Sequence, residues 1–170
     1  MPTLPEPTDQ LSDPGELLAA YLDFYRATLL DKLDGLSDAD LRRSVLPSGW
    51  SALELLKHLT YVERRWLEWG YASRDVPEPW GDEDSTGRWS VRPTEDLATL
   101  RTEFLEQCER SRAIVAGADL LDLGGFGGRF ESPEEAPHLS WILFHLLQEY
   151  ARHVGHLDVV RELTDGATGE

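Results

Sequence analysis

The chain has 170 residues, and its 16 Lys and Arg stand against 32 Asp and Glu, a formal net charge of −16. That length suits one domain with a sizeable core, while so acidic a surface repels phosphate backbones and anionic headgroups and excludes nucleic acid and membranes as natural partners. No apolar run reaches bilayer length, no basic-then-apolar leader is visible, and the single cysteine, Cys108, cannot form an internal disulfide, so a reducing cytoplasm is the expected setting.

Residues 1–11 are Pro-rich and polar and read as an extended arm. Ser12 or Asp13 then caps a helix with Pro14 near its first position, carrying Leu18, Tyr21, Leu22, Tyr25, Leu29 and Leu33 on one face and closed by Gly35. Residues 38–45 allow one or two helical turns. Ser51 and Glu54 have capping-box spacing and open SALELLKHLTYVERRWLEWGY, whose inward stripe is Leu55, His58 or Leu59, Val62, Trp66 and Trp69. A Pro-, Gly- and Asp-rich stretch, 71–93, forms a long loop with Trp80 and Trp89, and long ordered loops are often functional.

A third helix is predicted from Thr94, with Leu97, Leu100, Phe104, Cys108 and Val115 inward and Gly117 at its end. Residues 118–138, containing GGFGGRF and ESPEEAP, read as irregular, with room for a brief extended piece. The last helix is expected over 139–163, and 164–170 as a frayed tail. Four amphipathic helices without a convincing strand predict an all-α chain, a four-helix bundle with long connecting loops in one domain spanning 1–170.

The chemistry concentrates in the last helix. Its expected inward stripe is Ile142, Leu146, Glu149, His153, His156, Val160 and Leu163, apolar at both ends with a carboxylate and two imidazoles in the middle. Glu149 and His153 are four apart and so lie one above the other. His58, on the stripe of a facing helix, supplies a third ligand. Two imidazoles and a carboxylate can grip one face of a divalent ion and leave positions open, a catalytic rather than a closed structural arrangement. His156, one turn beyond His153, is either a fourth ligand or a group that orients what binds there.

Most histidines on helical faces are boundary residues, and an E-x-x-x-H spacing arises readily by chance. Convergence of all three is therefore the feature to seek. His145 reads as structural and His138 as a helix-terminus residue. Cys108 reads as a small buried hydrophobe, and GGFGGRF follows no strand and opens no helix as a phosphate loop would. Together with the Trp80 and Trp89 loop, GGFGGRF is expected to border the pocket above the metal.

SGWSALELLKHLTYVERRW, followed by SWILFHLLQEYARHVGHLDVVRELTDGATG, resembles the DinB/YfiT-like superfamily, and its small stand-alone branch in particular, often left as a domain of unknown function. The likeness covers nearly the whole chain. It implies a four-helix bundle whose divalent ion, zinc or nickel, is held at the positions of His58, Glu149 and His153. Many members carry His first in the last-helix pair; Glu149 here is similar to the relatives of the mycothiol-dependent maleylpyruvate isomerase N-terminal domain. His156 stands where many members have Gln. The resemblance further implies a low-molecular-weight thiol such as mycothiol, a small-molecule electrophile, and a possible homodimer. The expected activity is metal-dependent thiol S-transfer or isomerisation, with His156 at the catalytic site; a non-catalytic metal-binding stress or interaction protein is the alternative.

Overall fold

The structure, a computed structural model, describes residues 5–168. Its helices are α1 (Pro14–Leu33), α2 (Asp38–Arg42), α3 (Ala52–Glu63), α4 (Leu97–Val115) and α5 (Leu139–Asp165), and α3 runs straight on into a π-helical segment, Arg64–Tyr71. Among the described residues there is no strand, only isolated bridges between Glu83 and Trp89 and between Leu123 and His138. The four long helices form the bundle: α1 lies along α5, α3 along α4, and α3 also meets α5.

Local chemistry sets the helix starts. The Asp13 carboxylate accepts from the Glu16 N–H at 2.9 Å, and Ser51 and Glu54 form the complete capping box. Helix α4 begins at Leu97 rather than Thr94, because Asp96 wins the cap and accepts from the Thr99 N–H at 2.8 Å. Helix α5 runs to Asp165, two residues past the expected end, where Gly166 takes the left-handed conformation at φ 76°.

The core is mostly leucine, with Leu29, Leu33, Leu55, Leu56, Leu59, Phe104, Leu146 and Leu157 all fully buried. Each such side chain contributes about 1.5–3 kcal/mol relative to exposure.

The inward line of α5 departs from the expected stripe. It runs Leu139, Ile142, Leu143, Leu146, Tyr150, Val154, Leu157 and Val160. After Leu146 the core takes the four-residue step to Tyr150, not the three-residue step to Glu149. A carboxylate and two imidazoles on the bundle axis would be desolvated without enough partners, whereas one step around the helix they stay partly wet. Glu149 and His153 therefore flank the core, His156 is exposed, and Leu163 is 59% exposed.

The second long helix also differs from a uniform α-helix. The Ala72 N–H bonds the Leu67 carbonyl at 2.9 Å, a five-residue step. This wider winding turns less per residue than an α-helix. It buries Arg65, Leu67, Glu68 and Gly70 and leaves Trp66 and Trp69 half-buried instead of on the inward stripe.

At the start of this segment Glu63 is wholly buried. The Arg26 guanidinium donates to its two oxygens at 2.7 and 2.9 Å, and the Tyr150 hydroxyl donates to it at 2.5 Å. Burial, with Glu63 beside it, pushes the Tyr150 hydroxyl well above its ordinary pKa. Arg26 also pairs with Asp23, which is held in turn by Arg112. The chain thus buries a charged network that the apolar pattern did not reveal.

Candidate metal centre

His58 sits midway along α3, and Glu149 and His153 occupy successive turns of α5. One ligand-type atom from each lies within 4.8 Å of the other two. The His153 Nε2 is 3.1 Å from a Glu149 oxygen. All three side chains are shielded but reachable: 11% exposed for His58, 21% for Glu149 and 12% for His153. The hydrogen bond from His153 outweighs burial and holds Glu149 below the usual carboxylate value, so it is an anion.

The loop after the π segment completes the setting of His58. Residues 82–90 fold as a narrow hairpin in which the Asp84 N–H bonds the Arg88 carbonyl at 2.8 Å and the Ser90 N–H bonds the Asp82 carbonyl at 2.8 Å. Its two ends both reach His58. Asp82, fully buried, lies 2.9 Å from His58 Nδ1, and Trp89 stacks on the imidazole face with centroids 3.9 Å apart. Arg65 donates two bonds to Asp82, at 2.6 and 3.2 Å. Burial alone would raise the Asp82 pKa, but the bonds from His58 and Arg65 outweigh it and keep the carboxyl ionised. An ionised carboxylate only accepts, so His58 Nδ1 carries the proton and Nε2 is left with its lone pair. Burial also lowers the His58 pKa, so the ring stays neutral, as ligation requires.

The donor set fits a borderline divalent ion such as zinc or nickel. A second observation agrees. His153 Nδ1 is buried without a hydrogen-bond partner among the described residues. The ring is held by neighbours and by what its other nitrogen touches, an incomplete arrangement for a purely structural imidazole.

The remaining candidates fall into place around this cluster. His145 lies one turn before Glu149, with Nε2 3.6 Å from its carboxylate, and stacks on Trp141 at 5.1 Å and against Trp66 at 4.5 Å. His156 is exposed, its ring 6.0 Å from His153 and 6.4 Å from Trp50. His138 is the N-cap residue of α5, and its Nδ1 is 2.6 Å from the Leu121 carbonyl. Cys108 is buried in the core, and burial with Glu63 nearby pushes its thiol pKa far up, so it stays protonated.

Trp50 and Trp89 wall a groove of about 490 Å³ next to the cluster, together with Glu54, Asp84, Arg88 and Ser90. A larger cavity of about 720 Å³ lies elsewhere, between α1, the end of α4 and the start of α5. Its inner charges, Asp23, Arg26 and Arg112, are already paired with one another.

The sequence of the chain matches the family described as Mycothiol-S-transferase over residues 17–166, nearly its whole length. The chain belongs to that family. It is a DinB/YfiT-like family, in keeping with the helical bundle. No curated protein matches the chain. The mycothiol-S-transferase match spans every residue of the cluster and of the hairpin that supports it. No helix among the described residues is long and apolar enough to cross a membrane.

Reasoning from spacing found His58, Glu149 and His153 but not Asp82 or Arg65. Asp82 sits in a loop, where no periodicity points inward, and Arg65 faces in only because the helix leaves α geometry. The sole hint was the aromatic content of the 71–93 loop.

Proposed function

We propose that the protein transfers the sulfur of mycothiol, or of a closely similar low-molecular-weight thiol, to a small electrophile at a divalent ion held by His58, Glu149 and His153. The observation that carries this reading is the meeting of these three side chains, from two helices, in a member of the mycothiol-S-transferase family. An ion bound there supplies the positive charge that lets a thiol ionise at neutral pH, and zinc suits the donor set best, with nickel also acceptable.

The protein's own groups do the rest. Asp82 and Arg65 fix the ring angle and tautomer of His58. Glu149, held as an anion, supplies one negative charge against the two positive charges of a divalent ion. His156, exposed beside His153 and Trp50, receives the thiol proton in this reading. The Trp50 and Trp89 groove offers flat apolar faces and hydroxyl and carboxylate edges to the polyol part of the thiol. Because its own thiol is buried and protonated, the protein needs the sulfur from outside. A reducing cytoplasm is the natural setting for such a co-substrate.

The test is direct. Purified protein is analysed for metal, stripped, reloaded, and assayed with mycothiol and a generic electrophile by mass spectrometry of the conjugate. The reading requires one ion per chain and metal-dependent conjugation. Conjugation unaffected by stripping the metal would sink it.

A further inference from the structure

We propose that Arg129 anchors a carboxylate group of the electrophilic substrate, which makes the acceptor a small carboxylate-bearing electrophile; this rests on the S-transfer reading above. Arg129 belongs to the GGFGGRF stretch, for which a phosphate loop was excluded and only a pocket border expected. Its guanidinium lies over the Trp66 ring at 4.2 Å, with the rings of Trp69 and Trp80 each at 5.8 Å.

What singles it out is the lack of a partner. Every other arginine shielded from solvent donates to an acceptor: Arg26 to Glu63, Arg65 to Asp82, Arg110 to Glu68, Arg112 to Asp23, and Arg42, Arg64, Arg101 and Arg161 to Asp38, Gln107, Asp34 and Asp165. Arg129 is half-shielded, and among the described residues its guanidinium has neither an ion pair nor a hydrogen-bonded acceptor. In a chain with twice as many acids as bases, a shielded cation left without a carboxylate is available for one from outside. Burial, with Arg65 nearby, lowers its pKa, which is the signature of a cation that the protein has not compensated.

The fork is also preorganised. The Arg129 N–H bonds the Trp69 carbonyl at 3.1 Å, and the Gly125 N–H bonds the Tyr71 carbonyl at 2.8 Å, so the loop is laced to the end of the π segment. At Gly128 a Cβ would come within 2.3 Å of the Trp69 carbonyl oxygen, so only glycine permits that approach. A planar guanidinium held over an indole gives up little freedom on accepting a bidentate carboxylate.

Its position links it to the cluster. Trp66, under Arg129, also packs against His145, and His145 reaches Glu149. Arg129, Trp66, His145 and Glu149 therefore form one continuous layer. A substrate holding its carboxylate at Arg129 lies along Trp66 with its electrophilic carbon toward the cluster, on the side away from the Trp50 and Trp89 groove proposed for the thiol.

Two unreactive probes test the anchor, N-carboxymethylsuccinimide and N-ethylsuccinimide, titrated into full-length protein and followed by tryptophan emission, to which Trp66, Trp69 and Trp80 beside Arg129 contribute. The carboxylated probe is expected to saturate at least tenfold more tightly than the ethyl probe. Arg129→Gln should lose about tenfold for the carboxylated probe alone, Arg129→Lys should lose less, and Arg43→Gln, an exposed arginine just after α2, should lose nothing. If Arg129→Gln fails to fold, a selective loss for the carboxylated probe in Arg129→Lys supports the anchor. Equal binding of the two probes, or variants that bind the carboxylated probe like wild type, would overturn it.

The corresponding maleimides complete the test. The thiol adds across the ring double bond, sulfur bonding to one carbon and the thiol proton ending on the other, and the carboxymethyl compound should show the higher kcat/KM. Transfer without preference for the carboxylate overturns the anchor alone. Carboxylate binding without any transfer overturns the S-transfer reading and the substrate role of Arg129, while the succinimide result still stands as anion binding.

Discussion

Asp82 and His58 face each other across 2.9 Å, a fully buried carboxylate on the Nδ1 of the ring, which leaves Nε2 as the free lone-pair donor. Because Arg65 keeps Asp82 charged, this pair fixes both the tautomer and the angle of His58. Asp82→Asn keeps a similar shape but weakens that hold. Metal affinity, measured by competition with a chromophoric chelator, should fall about 10–100-fold, while the helical circular dichroism is retained. Unchanged affinity would show that the contact only fastens the loop.

Removal of a ligand should separate metal from fold. His58→Ala, Glu149→Ala and His153→Ala should each abolish stoichiometric zinc, because two remaining donors hold it poorly. The metal-free bundle should melt close to wild type, since the inward line of α5 passes through Tyr150 and Val154 and not through Glu149 or His153. One ion per His58→Ala chain at wild-type affinity would dismiss the three-ligand site.

The Glu63 network makes the opposite prediction. Arg26→Met leaves a fully buried carboxylate without its cation, and should cost about 3–5 kcal/mol in urea unfolding. Tyr150→Phe removes one donor and should cost about 1–3 kcal/mol. The double variant Arg26→Met, Glu63→Gln should recover part of the first loss. A double variant as unstable as the sum of the singles would show that the charges are not coupled.

Acid should weaken the metal-free protein in two stages. Burial holds the folded His58 and His145 below the ordinary imidazole value of 6.5. The unfolded chain then binds more protons just below that pH, so stability falls as pH drops from about 6.5. Asp23 and Asp82 are held below the ordinary carboxylate value of 3.8, so their share is lost only as pH falls below it. Urea midpoints taken with chelator from pH 8 to pH 3 read both stages. A midpoint as high at pH 5 as at pH 7.5 would contradict the first.

Cys108 should resist reagents. Its thiol is 1% exposed and is kept protonated by burial. A disulfide reagent at pH 8 should leave it untouched in native protein and modify it fully in urea. Rapid native labelling would remove the argument that the reactive sulfur comes from outside.

The helices were readable because leucine spacing and caps act locally: the Ser51 and Glu54 box and the Asp13 cap are visible in four-residue windows. The Glu149 and His153 pair was visible for the same reason. The line of the core was harder, because at Leu146 both Glu149 and Tyr150 continue a helical stripe, and choosing Tyr150 depends on Glu63 and Arg26 from two other helices. Asp82 and Arg129 were invisible to spacing. Each sits in a loop: the Asp82 carbonyl accepts from the Ser90 N–H and the Arg129 N–H donates to the Trp69 carbonyl, and no helical or strand spacing encodes either bond.

The π segment after Glu63 divides one continuous helix into two angular frames. His58 belongs to the first, and Arg65, Trp66 and Trp69 to the second. A change of one residue in the length of 64–71 would swing the indole floor and the Asp82 clamp around the helix while His58 stayed in place. The half that carries the candidate ligand His58 and the half proposed to face the acceptor can thus diverge separately. Related chains with the same ligands but different winding here would be expected to keep the metal and differ in what they conjugate.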